Sequence, residues 1–238
     1  MILAAGRGTR LRPITQRTPK ALVEVAGVAL LERVARQLVS AGVTRLIVNA
    51  HHHADQIIRF VEEKEGFGAE VRVSLERERL LDTGGGLWAA ASLFRADAPF
   101  FLHNVDVVTE LDLSGMYRAH LAGDALATLA VQERHTSRPL LVDEEGVYGL
   151  ANRKTGWRRE ARPFRGRTRE VGFAGVHVLS PEIFSLLTER GRFPIWDPYF
   201  RLVGEGRRIA CYDVAGALWL EVGDPTRLAR ARQIMEEG

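Results

Sequence analysis

Cysteine is almost absent from this chain of 238 residues, in which Cys211 stands alone. A single thiol forms no internal disulfide, and it cannot supply a zinc framework built from several cysteines. Since no His–Asp pair at a suitable spacing accompanies it, we expect Cys211 to lie unreactive in a strand. The sequence therefore excludes a disulfide scaffold and a cysteine-based zinc module.

The chain also lacks a long apolar run, and it has no charged leader followed by an apolar segment. Neither a membrane-spanning helix nor a secretion signal is predicted. We expect a cytoplasmic protein without a membrane partner. No internal repeat or low-complexity segment is evident either.

Negative charge is missing from the start of the chain, because no Asp or Glu precedes Glu24. The net charge is +3 and the sequence pI is about 9.3, but charges elsewhere are interspersed. A basic site for anionic substrates explains this excess, so we expect no nucleic-acid partner. Nucleic-acid binding remains an alternative that rests on the pI alone and would show steep salt dependence.

The stretch without acidic residues has the composition of a polyphosphate pocket. A short apolar start runs into Gly6 and Gly8, which let backbone N–H groups approach an anion closely. Fixed cations surround these glycines, and arginine forks and lysine ammonium groups both suit phosphate. These cations are Arg7, Arg10, Arg12, Arg17 and Lys20.

Two common phosphate loops do not fit this stretch. The spacing after Gly6 does not supply the Gly-x-x-x-x-Gly-Lys pattern of a P-loop. A dinucleotide fingerprint needs a third glycine that opens a helix, whereas Pro13 would interrupt one here. A flexible basic surface loop remains the simplest alternative.

The pattern along the chain predicts an α/β fold with a doubly wound, mostly parallel sheet. Apolar residues make up 46% of the chain, enough for one large domain. Helices predicted over 28–41, 54–65, 84–94 and 113–121 alternate with strands over 45–49, 70–75, 99–103 and 125–131. The remainder predicts a hairpin over 140–150, an irregular Arg-rich stretch over 152–170, strands over 171–179 and 207–214, a short apolar run over 218–222, and a final helix from Asp224.

We therefore predict a single domain over 1–238, with a nucleotide-binding half at 1–131 and an acceptor-binding half with a closing helix at 132–238. Ligands of such sheets bind beyond the carboxyl ends of the strands. That rule places the Gly6 loop, Asn49, Thr83 and Asn104 on one rim.

A family resemblance extends from the first residues over nearly the whole chain. The run Leu-Ala-Ala-Gly-Arg-Gly-Thr-Arg-Leu-Arg-Pro-Ile-Thr at 3–15, followed by Thr-Pro-Lys-Ala at 18–21, resembles the signature loop of sugar-1-phosphate nucleotidylyltransferases. The resemblance implies a Rossmann-like, mixed sheet of the GT-A-like nucleotidyltransferase type with a small acceptor-binding β region. It also implies transfer of a nucleotidyl group from an NTP to a sugar 1-phosphate, with release of pyrophosphate.

Roles for the opening loop follow from this resemblance. Arg10 is expected to stabilise the outgoing pyrophosphate, and Lys20 to hold the α-phosphate and the sugar phosphate together. The residues expected to bind the nucleotide here are Leu3, Ala4, Ala5, Gly6, Gly8 and Thr9.

Two carboxylates are expected to bind Mg²⁺, a hard ion that prefers oxygen ligands and bridges phosphates. The family pattern Asn-Gly-Asp reads Asn104-Val105-Asp106 here, so Asn104 is expected at the nucleotide and Asp106 at the metal. A family aspartate near the last helix is replaced by Glu221, which we expect as the second metal ligand. Asp224 is an alternative ligand, or only the cap of the last helix.

The run Asp-Thr-Gly-Gly-Gly at 82–86 resembles the base-binding segment of the family. It implies nucleotide contacts by Thr83, Gly84 and Gly85, although close packing of a helix on the sheet also asks for glycine. Within the family, this form is most like the enzymes that uridylylate N-acetylmuramate 1-phosphate. It is also similar to guanylyltransferases that act on heptose or mannose 1-phosphate.

Three residues are expected on the sugar-phosphate side. Gly175 lies in a strand that resembles the one lining the sugar pocket, and a glycine there would let the sugar lie close. Arg162 stands where a family lysine is usual, and Asp197 follows Trp196 in a segment that would close the pocket.

The resemblance thus implies an Mg²⁺-dependent transferase of nucleotide-sugar biosynthesis, with UTP favoured and cell-wall recycling as its setting. A GDP-mannose- or GDP-heptose-type guanylyltransferase is the near alternative. A catalytically silent sugar-nucleotide-binding protein is a third hypothesis, because Val105 and Glu221 depart from the family pattern. We expect a monomer or a homodimer.

Overall fold

A ten-stranded mixed sheet runs through the computed structural model, which describes residues 1–237. The strands are β1 (Ile2–Leu3), β2 (Glu24–Val25), β3 (Val28–Ala29), β4 (Arg45–Ala50), β5 (Glu70–Leu75), β6 (Phe100–Asn104), β7 (Val107–Thr109), β8 (Ala127–Gln132), β9 (Leu140–Asp143), β10 (Gly146–Asn152), β11 (Trp157–Glu160), β12 (Arg169–Leu179), β13 (Ile209–Asp213) and β14 (Trp219–Glu221). The helices are α1 (Leu30–Ser40), α2 (Ala54–Glu63), α3 (Asp82–Ala89), α4 (Leu113–Leu121), α5 (Ile183–Leu186), α6 (Trp196–Gly204) and α7 (Pro225–Glu237).

The order of strands joins both halves of the chain in this sheet. It runs β11-β10-β9-β12-β6-β1-β4-β5, and β8 lies between β12 and β13. Strands β6, β1, β4 and β5 are parallel, whereas β12 is antiparallel to β6, β8 and β9. The predicted α/β class with a mixed sheet is confirmed. Most of the parallel part comes from the first half of the chain and most of the antiparallel part from the second, although β13 is parallel to β8.

Apolar side chains cover the two faces of the sheet separately. In β4, Ile47 belongs to one buried cluster and its neighbour Val48 to the other. Successive residues of a strand point to opposite faces, so a strand buried on both sides reads as a continuous apolar run. Helix α1 packs on the face of Val48, and α6 packs on the face of Ile47.

The register of the parallel strands aligns their carboxyl ends. Leu3, the last residue of β1, pairs with Asn49 on one side and with Asn104 on the other. These three residues therefore lie side by side at the edge where ligands of such sheets bind.

A separate two-stranded ladder returns the end of the chain to this edge. Glu221 of β14 pairs with Val107 of β7, and the backbone N–H of Val222 donates to the carbonyl of Asp106 at 2.8 Å. Helix α7 then buries Leu228 and Ala231 in the same cluster as α1, as predicted for a closing helix.

Most predicted elements are present, but several differ from the prediction. Helix α6 was not predicted, because Pro198 reads as a helix breaker although proline is tolerated in a first turn. Strand β11 lies in the stretch predicted to be irregular, since all four of its residues are exposed and show no apolar pattern. Helix α3 begins at Asp82 rather than at Gly84.

Cys211 lies in β13 as predicted, and burial raises the pKa of its thiol to about 12. Among residues 1–237, no helix is long and apolar enough to cross a membrane.

Candidate active site

A cavity of about 370 Å³ opens at the carboxyl ends of β1, β4 and β6. Many of the residues predicted to bind nucleotide, phosphate or metal line it together. These are Leu3, Ala5, Gly6, Gly8, Thr9, Arg10, Lys20, Thr83, Asn104 and Asp106. Distant parts of the sequence thus converge on one site, which we call the nucleotide cavity.

The basic loop is tightly closed at Gly8 and open at Gly6. Gly8 has φ +60°, and its carbonyl accepts a hydrogen bond from the Thr15 hydroxyl at 2.8 Å. A Cβ on Gly8 would lie 2.8 Å from the Thr15 methyl carbon and 3.0 Å from the Cβ of Lys20. At Gly6 a Cβ would meet nothing within 4 Å. Glycine at position 8 therefore lets the loop fold tightly against Lys20, while Gly6 faces open space.

A buried amide and carboxylate hold the base of this loop. The side-chain oxygen of Asn49 accepts hydrogen bonds from the backbone N–H groups of Ala4 and Ala5, at 2.7 and 3.2 Å. The amide nitrogen of the same side chain donates to a carboxylate oxygen of Glu76 at 2.7 Å. The other carboxylate oxygen of Glu76 accepts the N–H of Leu81 at 2.7 Å. Burial raises the pKa of Glu76, against the lowering effect of these hydrogen bonds. The N–H groups of Ala4 and Ala5 thus fix the loop to β4, which leaves the later residues of the loop to face a ligand.

Lys20 and Asp106 meet across the nucleotide cavity. The Lys20 ammonium lies 2.5 Å from an Asp106 carboxylate oxygen, and Lys20 is 8% exposed. Lys20 begins a 3₁₀ turn at Lys20–Leu22, and Asp106 lies two residues beyond the end of β6, so regular backbone structure positions both residues. In such a pair, the lysine ammonium could bind a phosphate and the carboxylate could bind a cation.

Glu221 lies beside Asp106 through the β7–β14 ladder and forms an ion pair with Arg227 of α7. Asp224 instead caps α7: its side chain accepts the N–H of Arg227 at 3.0 Å. Asp224 lines neither the nucleotide cavity nor the acceptor cavity described below, and this favours the capping interpretation.

The donor set at Asp106 and Glu221 fits Mg²⁺ only with help from substrate. In the part of the chain that the structure describes, no three His, Cys, Asp or Glu residues are grouped to hold a metal ion. Magnesium commonly takes one or two carboxylates and completes its shell with water and substrate phosphates. Two neighbouring carboxylates beside a phosphate loop satisfy that requirement.

The glycines at 84–86 lie in a crowded part of the structure. A Cβ on Gly84 would lie 2.5 Å from the Phe193 ring, and one on Gly85 would lie 2.3 Å from the carbonyl of Gly191. The N–H groups of Gly84 and Gly85 both donate to the carbonyl of Phe193. Close packing of α3 explains these two glycines, and neither lines the nucleotide cavity, whereas Thr83 does.

A second cavity of about 230 Å³ joins the first at Asn104 and Asp106, which line both. Gly175 lines it with φ +86°, and a Cβ there would lie 2.5 Å from the Val107 side chain. We call this the acceptor cavity. Its remaining lining residues are Val107, Arg134, Thr136, Arg138, Leu140, Leu150, Phe173, Trp196, Trp219 and Glu221.

Arg162 and Asp197, which the sequence placed at the sugar phosphate, do not line the acceptor cavity. Arg162 donates two hydrogen bonds to Asp143, at 2.7 and 2.8 Å, and borders a different groove. Asp197 pairs with Arg159 at 3.3 Å. The structure thus places both side chains outside the acceptor cavity, and each has a charged partner from a segment that spacing could not reveal.

The pair of Arg162 and Asp143 predicts a stability effect. Burial alone would raise the pKa of Asp143, but hydrogen bonds from Arg162 and from two backbone N–H groups lower it to about 2. Arg162→Met removes the two bonds from the guanidinium but keeps those from the backbone N–H groups of Glu145 and Arg165. The buried carboxylate then lacks a cationic partner, so we expect the free energy of unfolding to fall by about 2 kcal/mol at pH 7. Urea denaturation measures this change.

The same pair predicts a dependence on pH. The carboxyl has a lower pKa in the folded state than its ordinary 3.8, so its stabilisation is present above pH 3.8 and is lost toward pH 2. The deficit of Arg162→Met should therefore shrink below pH 4. Arg165→Met, which breaks an exposed pair with Glu145, is the control and should cost less than ~1 kcal/mol. Equal effects of the two variants would contradict this account.

Several residues at the site were not predicted. Among them are Glu76, Arg134 and Arg138, which line the cavities, and Arg227, which pairs with Glu221. Glu76 directly follows β5, so the rule on carboxyl ends of strands could have found it. Arg134, Arg138 and Arg227 lie in segments whose place in the fold depends on long-range pairing, and no local signal identifies them.

The doubly wound sheet, with a basic loop and an acidic strand end at its carboxyl edge, defines an α/β protein of the nucleotide-binding class. The chain belongs to the nucleotidyl transferase family, because the family model described as "Nucleotidyl transferase" matches residues 1–238. This confirms the resemblance found in the opening loop.

Relatives named for their activities align with nearly the whole chain. N-acetylmuramate alpha-1-phosphate uridylyltransferase of Caulobacter vibrioides is 34% identical, over 99% of this chain and 96% of its own. The protein of that name from Neisseria meningitidis is 31% identical, over 98% of this chain and 96% of its own. A mannose-1-phosphate guanyltransferase of Yarrowia lipolytica is 28% identical over 94% of this chain, which spans only 60% of that relative.

Solved structures share the fold. The inositol-1-phosphate CTP transferase of T. maritima superposes with a TM-score of 0.77 at 18% identity, over 99% of this chain and 94% of its own. The UTP-bound UGPase of Acinetobacter baumannii superposes with a TM-score of 0.78 at 18% identity, over 98% of this chain and 91% of its own. At such identities the likeness supports the fold alone.

Proposed function

We propose that the protein transfers a uridylyl group from UTP to N-acetylmuramate 1-phosphate, forming UDP-N-acetylmuramate and pyrophosphate. The observation that carries this proposal is the meeting of two cavities at Asn104 and Asp106. One cavity holds the basic glycine loop and the other holds the glycine of a sugar-lining strand. A donor and an acceptor bound in these cavities would meet at the shared rim.

In this reaction, an oxygen of the sugar phosphate attacks the α-phosphorus of the NTP. A new P–O bond forms while the bond to the bridging oxygen of the β-phosphate breaks, and pyrophosphate leaves with that electron pair. The chain contributes position and charge rather than a covalent intermediate. Lys20 lies at the rim where both phosphates would converge, and Arg10 lines the nucleotide cavity where charge develops on pyrophosphate.

Asp106 and Glu221 would hold the Mg²⁺ that we propose as cofactor. The ion would neutralise phosphate charge and favour departure of pyrophosphate. Glu221 forms an ion pair with Arg227 in this structure, so this carboxylate would exchange an arginine for the cation.

The identities and lengths of the relatives support our choice of substrates. The two uridylyltransferases match this chain over almost all of their own length, whereas the guanyltransferase is much longer. We therefore favour UTP and N-acetylmuramate 1-phosphate, and with them a place in cell-wall recycling. The guanyltransferase at 28% identity keeps GTP with mannose 1-phosphate as a second candidate.

A competition assay tests this choice. The purified protein is given equal concentrations of ATP, CTP, GTP and UTP, together with N-acetylmuramate, N-acetylglucosamine, mannose and glucose 1-phosphates and Mg²⁺. Mass spectrometry of the products should show UDP-N-acetylmuramate in at least about tenfold excess over any other nucleotide sugar. Predominance of GDP-mannose would favour the second candidate and refute the first.

A further inference from the structure

The acceptor cavity contains two arginines as well as two carboxylates. Its charged lining residues are Asp106, Glu221, Arg134 and Arg138. If Asp106 and Glu221 serve a cation, the two arginines remain available for negative charge on the acceptor. The phosphate of the acceptor must reach the rim at Asp106, near Lys20, because the attacked phosphorus lies there. The arginines therefore have a role that the phosphate alone does not account for.

Arg134 is fixed in the wall of this cavity. Its guanidinium lies 3.9 Å from the centre of the Trp219 ring and donates to the carbonyl of Phe173 at 2.8 Å. The side chain also packs against Gly172, where a Cβ would lie 2.8 Å from its Nε. These contacts hold a positive charge beside the cavity without neutralising it.

Arg138 lies in a segment whose backbone is fixed by hydrogen bonds. Its N–H donates to the Thr136 hydroxyl, and the neighbouring carbonyls of Ser137 and Pro139 accept N–H groups of Arg153 and Ala151. Among residues 1–237, the Arg138 guanidinium has no ion pair and no hydrogen bond with another side chain. Arg138 is an exposed residue that lines the cavity, and its backbone is fixed, so its guanidinium fork is available to a ligand there.

We propose that Arg134 and Arg138 recognise a carboxylate on the sugar, so that the enzyme selects an acidic sugar 1-phosphate over a neutral one. This inference rests on the proposed transfer to a sugar 1-phosphate. N-acetylmuramate differs from N-acetylglucosamine by a lactyl ether, which carries such a carboxylate. A planar guanidinium binds a carboxylate through paired hydrogen bonds, whereas a neutral hydroxyl cannot use the same charge.

The test compares N-acetylmuramate 1-phosphate with N-acetylglucosamine 1-phosphate, each with UTP and Mg²⁺. Wild-type kcat/KM should be about 10- to 100-fold higher for the acidic sugar, the range expected for hydrogen bonds to a charged group. Arg138→Gln should lower kcat/KM for the acidic sugar by about tenfold or more, mainly through KM, and should leave the neutral sugar within about twofold. Arg138→Lys should recover part of the loss, since it keeps the charge but not the fork.

Arg230→Gln is the matched control, because Arg230 is an exposed arginine on α7 outside both cavities. Arg230→Gln should leave kcat/KM unchanged for both sugar 1-phosphates. Equal wild-type kcat/KM for the two sugars, or an equal loss for both in Arg138→Gln, would overturn the inference while leaving the transferase activity intact.

Calorimetry with UDP-N-acetylmuramate and UDP-N-acetylglucosamine tests the same recognition without turnover. Tighter binding of the acidic nucleotide sugar, reduced in Arg138→Gln, supports the inference even if the transfer reaction fails. Equal affinities overturn it. Absence of turnover with every sugar 1-phosphate would instead overturn the proposed function, so the two failures are distinguishable.

Discussion

Replacing Lys20 by alanine should lower kcat/KM for nucleotidyl transfer by about 1,000-fold, which corresponds to ~4 kcal/mol of transition-state stabilisation. Lys20 is a nearly buried cation in the nucleotide cavity. It pairs with Asp106 at the rim shared by the two cavities, where phosphate charge would have to be neutralised. Initial rates of pyrophosphate release, measured across UTP and acceptor concentrations, give the effect. A loss mainly in kcat would indicate that the ammonium acts in the transition state.

Lys154→Ala is the control for this prediction, because Lys154 is an exposed lysine in the turn between β10 and β11. It should leave activity unchanged. The melting temperature of Lys20→Ala should remain within a few degrees of wild type, since Asp106, its partner, keeps access to solvent. A fully active Lys20→Ala protein would refute the role of this lysine.

Asp106→Asn should also lower kcat/KM by about 1,000-fold. Asparagine keeps the shape of the side chain and removes the charge that would hold Mg²⁺. We further expect the concentration of Mg²⁺ that gives half-maximal activity to rise by at least about tenfold, because a divalent hard cation strongly prefers a carboxylate over an amide. Titration of activity with Mg²⁺ measures both effects.

Glu221→Gln and Asp224→Asn, measured side by side, identify the second carboxylate. Glu221→Gln should raise the Mg²⁺ requirement, because Glu221 pairs across β14 and β7 beside Asp106. Asp224→Asn should leave it nearly unchanged, since asparagine caps a helix as well as aspartate does. The assignment fails if Asp106→Asn keeps normal activity and Mg²⁺ dependence, or if Asp224→Asn has the larger effect.

The elements that were predicted best are those whose pattern of apolar residues lies within one continuous segment. Strand β5 at Glu70–Leu75 and helix α4 at Leu113–Leu121 have the predicted bounds. Helix α6 and strand β11 were missed because their identity depends on what they pack against or pair with. For α6, the deciding fact is burial of Tyr199 and Phe200 against the sheet, which no local pattern shows.

The residues of the site also fall into two groups, those predictable from local sequence and those that depend on distant contacts. The basic loop is contiguous, so its residues could be predicted together, and Asn49, Asn104 and Asp106 followed from the rule on strand ends. Arg162 was assigned to the sugar phosphate because it stands where a family lysine is usual. Its partner Asp143 lies 19 positions earlier, in another strand, so no local pattern showed the pair. The ion pair of Glu221 with Arg227 likewise depends on how α7 leaves β14.

The most direct measurement is pyrophosphate release by the purified protein given UTP, N-acetylmuramate 1-phosphate and Mg²⁺. We predict sustained turnover, with one UDP-N-acetylmuramate formed for each pyrophosphate and with the rate of formation of both products about 1,000-fold lower in Lys20→Ala. Tight binding of UTP or of the nucleotide sugar without pyrophosphate release would contradict this account and would identify a catalytically silent sugar-nucleotide-binding protein.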